Sequence, residues 1–119
     1  MNSNESNFNI NDFSKSQLEE IQKGLEQKLN VSVYAKKEFL AIQMRQIRLG
    51  LQDKLPVEKY ANPSFDWFQM EQIRMGLKDG IDISKYAKPE ISYDRMQQIR
   101  LPLLDNIDLS AFTKLEAGV

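Results

Sequence analysis

Arginine recurs at a fixed spacing in this sequence, and its chemistry can be specified from the residue type alone. Arg48, Arg74 and Arg100 are each separated by 26 residues. A guanidinium group is a permanent, planar cation that binds phosphate and carboxylate oxygens, so an exposed row of three would bind anions. The alternative is structural: each arginine covers the edge of the core and pairs with a carboxylate, as Glu71 could with Arg74. We favour the structural interpretation.

A group of apolar residues around Trp67 is the second candidate binding site. Trp67 and Phe68 occupy positions that hold Lys15 and Ser16 in the first copy of the pattern described below. Together with Ile42 and Tyr93, they could form an apolar patch, and aromatic anchors of this kind dominate many protein interfaces. Packing between repeats explains Phe68 equally well, whereas Trp67, on the flank of its helix, is predicted to be the exposed contact.

Composition excludes several classes of chemistry. The 119 residues include no histidine and no cysteine, the two commonest sources of a general base, a thiolate nucleophile or a metal ligand. No phosphate-binding glycine loop or metal-ligand cluster is present, so we predict neither an enzyme nor a cofactor or metal site. The net charge of −1 gives no overall attraction to nucleic acid or membrane, and no apolar run is long enough for a membrane span. A soluble cytoplasmic protein is expected.

A repeat of 26 residues must position these side chains. Four copies follow without insertion or deletion, at 13–38, 39–64, 65–90 and 91–112. Repeats of this length stack side by side and bury one continuous core. The sequence therefore predicts an all-α tandem helical repeat, a small α-solenoid, over residues 8–112. Residues 8–12 would be the end of a truncated half-repeat, 1–7 a disordered tail and 113–119 a second tail.

Each copy is predicted to be one long helix followed by a short helical turn. Apolar residues at 18, 21, 25 and 29 follow helical spacing and recur in the later copies. Ser14 with Gln17 and Asp66 with Gln69 have capping-box spacing, whereas Leu40 takes this position in copy two and predicts a fraying helix start. The helix is expected to span about 14 residues. The aromatic residues at 34, 60, 86 and 112 are predicted to anchor the turn to its own repeat.

Glycine and proline share one column in the middle of the predicted helices. Gly24, Gly50 and Gly76 occupy it in the first three copies, although glycine costs about 1 kcal/mol relative to alanine there. A close backbone contact or a helix bend would each explain this column. Pro102 occupies it in copy four and predicts a bend or break near residues 98–101.

A second apolar face lies opposite the core stripe of the later helices. It consists of Ile42 and Leu49, Phe68 and Met75, and Leu101, whereas copy one has Ser16 and Lys23. A helix that is apolar on two sides is either sandwiched or presents a binding surface. We favour the interpretation that each later helix turns this face toward the preceding repeat, with a polar first copy as the cap. In the alternative, these residues form an exposed apolar strip for a partner.

Glutamine recurs in two columns, which hold Gln17, Gln43 and Gln69, and Gln46, Gln72 and Gln98. Hydrogen bonding between neighbouring helices is the favoured role, and contact with base edges is the alternative.

The repeated phrase is clearest over 69–77 with Tyr86-Ala87-Lys88-Pro89. This repeat resembles one associated with bacterial mobile-element proteins of conjugation, phage and counter-defence systems, and the resemblance covers 13–112. It implies a setting, in which the chain would be a protein-binding inhibitor or adaptor of a host defence protein. The alternatives are a nucleic-acid-binding accessory protein that uses the arginine row, and self-association through an apolar end of the stack.

Overall fold

Four consecutive helices form the fold in the computed structural model, which describes residues 9–104. They are α1 (Lys15–Glu26), α2 (Ala41–Gln52), α3 (Trp67–Lys78) and α4, which begins at residue 93 and is described as far as 104. The predicted all-α tandem repeat is confirmed, because α1 packs on α2 and α2 on α3. The first three helices have 12 residues each, or about 18 Å, two residues fewer than predicted. The two predicted tails, residue 8 and the end of copy four lie outside the described residues.

The capping boxes predicted at two of the helix starts are confirmed. The Ser14 hydroxyl and the Asp66 carboxylate each accept from the backbone N–H three residues on, at 3.2 and 2.8 Å. Leu40 has no acceptor in its side chain, but the Gln43 amide oxygen still accepts from the Leu40 N–H at 2.8 Å. Helix α2 therefore keeps half of the box and begins at the same repeat position as α1 and α3.

Each of the first three helices ends in a Schellman motif. The residue that follows the C-cap has a left-handed backbone: Lys28 at φ 60°, Lys54 at φ 59° and Gly80 at φ 75°. The next N–H then bonds back to the glycine of the helix, as from Leu55 to the Gly50 carbonyl at 2.9 Å. Glycine adopts this conformation without strain, so copy three has the least strained ending.

A 3₁₀ turn follows each of these helices, and its aromatic residue fastens it to the helix before it. The turns are Val31–Val33, Val57–Lys59 and Ile83–Lys85. Tyr34, Tyr60 and Tyr86 are fully buried, and their hydroxyls donate to the carbonyls of Glu20, Gln46 and Gln72 at 2.6–2.9 Å. The anchor role predicted for these three tyrosines is confirmed, whereas Phe112 lies outside the described residues. Asp82 caps the third turn, accepting from the Ser84 N–H at 3.1 Å.

The glycine column is explained by these tyrosines. A Cβ on Gly24, Gly50 or Gly76 would overlap the hydroxyl of the tyrosine ten residues later and crowd the β-branched residue of the same turn. At Gly50, the crowded atom is the Cγ1 of Val57, 2.6 Å from the Cβ position. Of the two predicted causes, close backbone contact is therefore correct.

The core runs continuously along the stack between the helices and their turns. It contains Ile21, Val31, Tyr34, Phe39, Met44, Ile47, Val57, Tyr60, Phe65, Met70, Ile73, Ile81, Ile83, Tyr86 and Met96. Of the bend or break predicted near residues 98–101, the break is wrong, since the helical conformation continues to residue 104. Proline removes the bond to the carbonyl of Gln98, but both residues are exposed, so water can satisfy that carbonyl.

Candidate functional site

The arginine row lies inside the interfaces between repeats. Arg48 is 7% exposed, and its Nε donates to the Glu20 carboxylate of the preceding helix at 2.9 Å. Its Nη1 also lies 3.4 Å from the Gln27 amide oxygen. The Arg48 guanidinium and the Glu20 carboxylate are therefore buried together as an ion pair. This contact is a structural joint between copies one and two.

The other two arginines repeat this contact with a neutral acceptor. The Nε atoms of Arg74 and Arg100 donate to the amide oxygens of Gln46 and Gln72, each at 2.9 Å. The partner is the side chain 28 residues upstream, so the predicted pairing of Arg74 with Glu71 is wrong. An exposed anion-binding row is also wrong for Arg48 and Arg100, because both side chains are buried.

Glutamine side chains fasten each repeat to the next one. The Nε2 atoms of Gln17, Gln43 and Gln69 donate to the backbone carbonyls of Phe39, Phe65 and Ile91 at 2.6–2.7 Å. These carbonyls lie immediately before the capping residue of the following helix. The predicted hydrogen bonding between neighbours is therefore confirmed for this column, and for Gln46 and Gln72 as acceptors from arginine.

Gln98 differs from the other members of its column. It is exposed, and its amide oxygen accepts from Arg95 of the same helix at 3.1 Å.

The second apolar face points outward. Ile42 is 46% exposed and Phe68 40%, and Leu101 is also exposed, whereas Leu49 and Met75 are half-buried. The favoured prediction that this face packs on the preceding repeat is wrong for the three exposed residues. Neighbouring helices meet instead through the columns on either side of the core stripe, which hold the arginines and their acceptors.

Three aromatic rings form a continuous stack across α3 and α4. The ring centroids of Trp67 and Phe68 are 3.7 Å apart, and those of Phe68 and Tyr93 are 4.8 Å apart. Trp67 is half-buried and Phe68 more exposed, the reverse of the predicted order. The physical reason is that Trp67 lies on the side of α3 that faces α2, where it lines the groove between the two helices.

The candidate site is therefore an apolar outer face on α2, α3 and α4, bordered by this stack. The structure brings Ile42, Phe68 and Tyr93 to this surface, with Trp67 at its edge, and it buries Arg48 and Arg100. The sequence analysis missed Arg45, which lines the groove between α2 and α3 together with the half-buried Arg74. The signal was available, since Arg45 lies three residues from Ile42 and four from Leu49 on one helix.

Comparison of the chain with protein-family models, with curated proteins and with solved structures finds no match. The resemblance to mobile-element repeats therefore stays a prediction. Among residues 9–104, none of the helices has the length and apolar content needed to cross a membrane. The same residues contain no group of three His, Cys, Asp or Glu side chains placed to hold a metal ion.

Proposed function

We propose that this protein is a non-enzymatic binding module whose outer face, on α2, α3 and α4, binds another protein. The observation that carries the proposal is the stack of Trp67, Phe68 and Tyr93. Phe68 is 40% exposed and Tyr93 is 38% exposed, although the buried core is already continuous without them. Contiguous exposed apolar surface of this kind marks interaction sites, and aromatic residues dominate their energetics.

The repeat architecture supports the same proposal. Helical repeats present an extended, rigid surface. Here the arginine and glutamine contacts hold neighbouring helices together, and the tyrosine contact holds each turn to its own helix. A surface that is rigid before binding loses little conformational entropy when a partner docks. As an inhibitor or adaptor in a mobile-element setting, the protein would act by occupying a surface of a host protein.

The nucleic-acid alternative has less support. Its proposed contact was the arginine row, and the side chains of Arg48 and Arg100 are buried against neighbouring repeats. A phosphate backbone would have to displace the Glu20 carboxylate to reach Arg48, which would cost the existing ion pair.

Affinity capture from a bacterial host lysate tests the proposal with three baits. These are the wild type, Phe68→Ser and Leu25→Ser, the last a matched control because Leu25 is 45% exposed on a different face. Circular dichroism would verify that each bait is folded. We expect a protein partner with the wild type and with Leu25→Ser, and its loss with Phe68→Ser.

Recovery of the same partner by Phe68→Ser would contradict the proposed binding surface. Recovery of no protein by any bait would count against a protein-binding module altogether. Material that is released by nuclease treatment would favour the nucleic-acid alternative, and a salt titration would then measure the phosphate contribution.

A further inference from the structure

The groove between α2 and α3 combines apolar walls with cationic groups. It has a volume of about 390 Å³ and is lined by Ile42 and Leu49 of α2 and by Trp67 of α3. Ile42 and Leu49 are seven residues apart, so they lie about 10 Å apart along one side of the helix. An occupant with apolar side chains at matching intervals would contact both residues and the tryptophan.

The acceptor of Arg74 distinguishes the α2–α3 interface from the interfaces on either side of it. In the joint before it, Arg48 meets the Glu20 carboxylate at 2.9 Å, and in the joint after it, Arg100 lies 3.8 Å from the Asp79 carboxylate. Arg74 has only the neutral Gln46 as its acceptor, and within residues 9–104 no carboxylate lies within 4.0 Å of it. A half-buried cation beside apolar walls gains stability from an incoming carboxylate.

A second cation reinforces this preference at the rim. Arg45 is exposed, lines the same groove and forms no ion pair with any residue from 9 to 104. Glu71 is the acidic residue of the groove, and it leaves a net charge of +1 when set against Arg45 and Arg74. The charge of the groove therefore complements an acidic occupant.

We propose that the α2–α3 groove binds an acidic amphipathic helix of a partner protein. Its apolar side chains pack on Trp67, Ile42 and Leu49, and a carboxylate one turn away pairs with Arg74 and Arg45. This inference rests on the proposed function and names the chemistry of the partner. A helix fits better than an extended peptide, because both walls are helices whose backbone groups are already bonded, which leaves no strand edge along the groove.

Trp67 makes the test specific to this groove, since it is the one tryptophan of the chain and its emission reports on the groove walls. Random 16-residue peptides displayed on phage would be selected against the immobilised full-length protein. Enriched peptides would then be synthesised and titrated while Trp67 fluorescence is recorded. We expect apolar residues at i, i+3 or i+4 and i+7, with Asp or Glu enriched beside them, and a shift of the emission on binding.

Charge reversal supplies the matched control. Arg45→Glu should weaken an acidic peptide about fivefold or more, and a peptide with Lys in place of its Asp and Glu should regain affinity for this variant. Arg95→Glu reverses the charge of a different exposed arginine, which lies on α4, and should leave the affinity for the acidic peptide unchanged.

Several outcomes would overturn the inference. Selection could enrich no peptides, or peptides without an acidic bias, and peptide binding could leave Trp67 emission unchanged. Emission could also shift with protein concentration alone, as binding of a second copy in the groove would cause. Finally, a small aryl carboxylate could shift the emission when peptides do not. If lysate capture still depends on Phe68, the proposed function survives and only the occupant is wrong. If lysate capture and peptide selection are both empty, the proposed function fails as well.

Discussion

Tyr60 occupies the space that a side chain at Gly50 would need. The tyrosine hydroxyl donates to the Gln46 carbonyl at 2.6 Å and lies against the bare Cα of the glycine. The same pair recurs as Gly24 with Tyr34 and as Gly76 with Tyr86. Each of the first three repeats therefore joins its helix to its turn through a contact that only glycine permits.

This contact predicts the sign of a substitution that would normally be favourable. Alanine at a mid-helix glycine usually stabilises by about 1 kcal/mol. We expect Gly50→Ala to destabilise instead by about 1–3 kcal/mol, because the new methyl group overlaps the Tyr60 hydroxyl and crowds Val57. Urea unfolding followed by circular dichroism would measure the change.

A double-mutant cycle provides its control. Tyr60→Phe removes the hydroxyl, so Gly50→Ala should cost less in this background than in the wild type. Equal costs in both backgrounds, or a gain in stability from Gly50→Ala alone, would contradict the proposed contact. The sequence itself contains a related combination, since Phe112 accompanies Pro102 in copy four.

Much of the fold follows from the sequence because local signals recur in register. The caps at Ser14 and Asp66 mark where helices begin, and the tyrosine column marks the anchored turns. These features depend on residues close in sequence, so the 26-residue period carries them from copy to copy.

The candidate site was less predictable, because a helical wheel shows two apolar sides without showing where the neighbours lie. The wheel places Ile42 and Phe68 at the repeat interface, although that interface is built from Arg48 and Glu20 and their equivalents. Which side chain pairs with each arginine, here the one 28 residues upstream, depends on the angle between neighbouring helices, and the connecting turn determines that angle. The polar columns beside the core stripe were the available signal.

The buried ion pair of the first joint predicts unequal effects of two substitutions at Glu20. Glu20→Ala leaves Arg48 with the Gln27 amide at 3.4 Å as its remaining side-chain acceptor, and we expect a loss of about 3 kcal/mol. Glu20→Gln reproduces the Gln46–Arg74 arrangement and should cost about 1 kcal/mol or less. Chemical denaturation of the three proteins would check the order, and equal losses would contradict a joint that accepts either partner.

Tyr86 predicts a pH-dependent reversal of stability. Burial raises the pKa of Tyr86 from 10.0 to about 12. Below pH 10 the tyrosine is protonated in both states, and its hydrogen bond should make the wild type more stable than Tyr86→Phe by about 1 kcal/mol. Between pH 10 and 12 only the unfolded state ionises, so the wild type loses about 1.4 kcal/mol per pH unit relative to the variant.

The difference in unfolding free energy between these two proteins should therefore vanish near pH 11 and then change sign. Urea titrations at several pH values between 8 and 11.5 would measure it. Using the difference cancels the titration of lysines, which both proteins share. A difference that stays constant over this range would contradict a buried, protonated Tyr86.

Glutamate in place of Gln43 would suit the local capping box but not the contact with the neighbouring repeat. Glutamate is a common partner at this position of a capping box, so Gln43→Glu preserves the acceptor for the Leu40 N–H. The carboxylate cannot donate, however, and it would face the Phe65 carbonyl at the present 2.6 Å contact. We expect the unfolding free energy to fall by about 1–3 kcal/mol at pH 7, and this loss should shrink at acidic pH as the carboxyl group gains a proton to donate.

Gln97→Glu, at an exposed position of α4, is the matched control and should change the unfolding free energy little at neutral or acidic pH. A Gln43→Glu variant as stable as the wild type at pH 7 would show that the bond to Phe65 does not hold the repeats together.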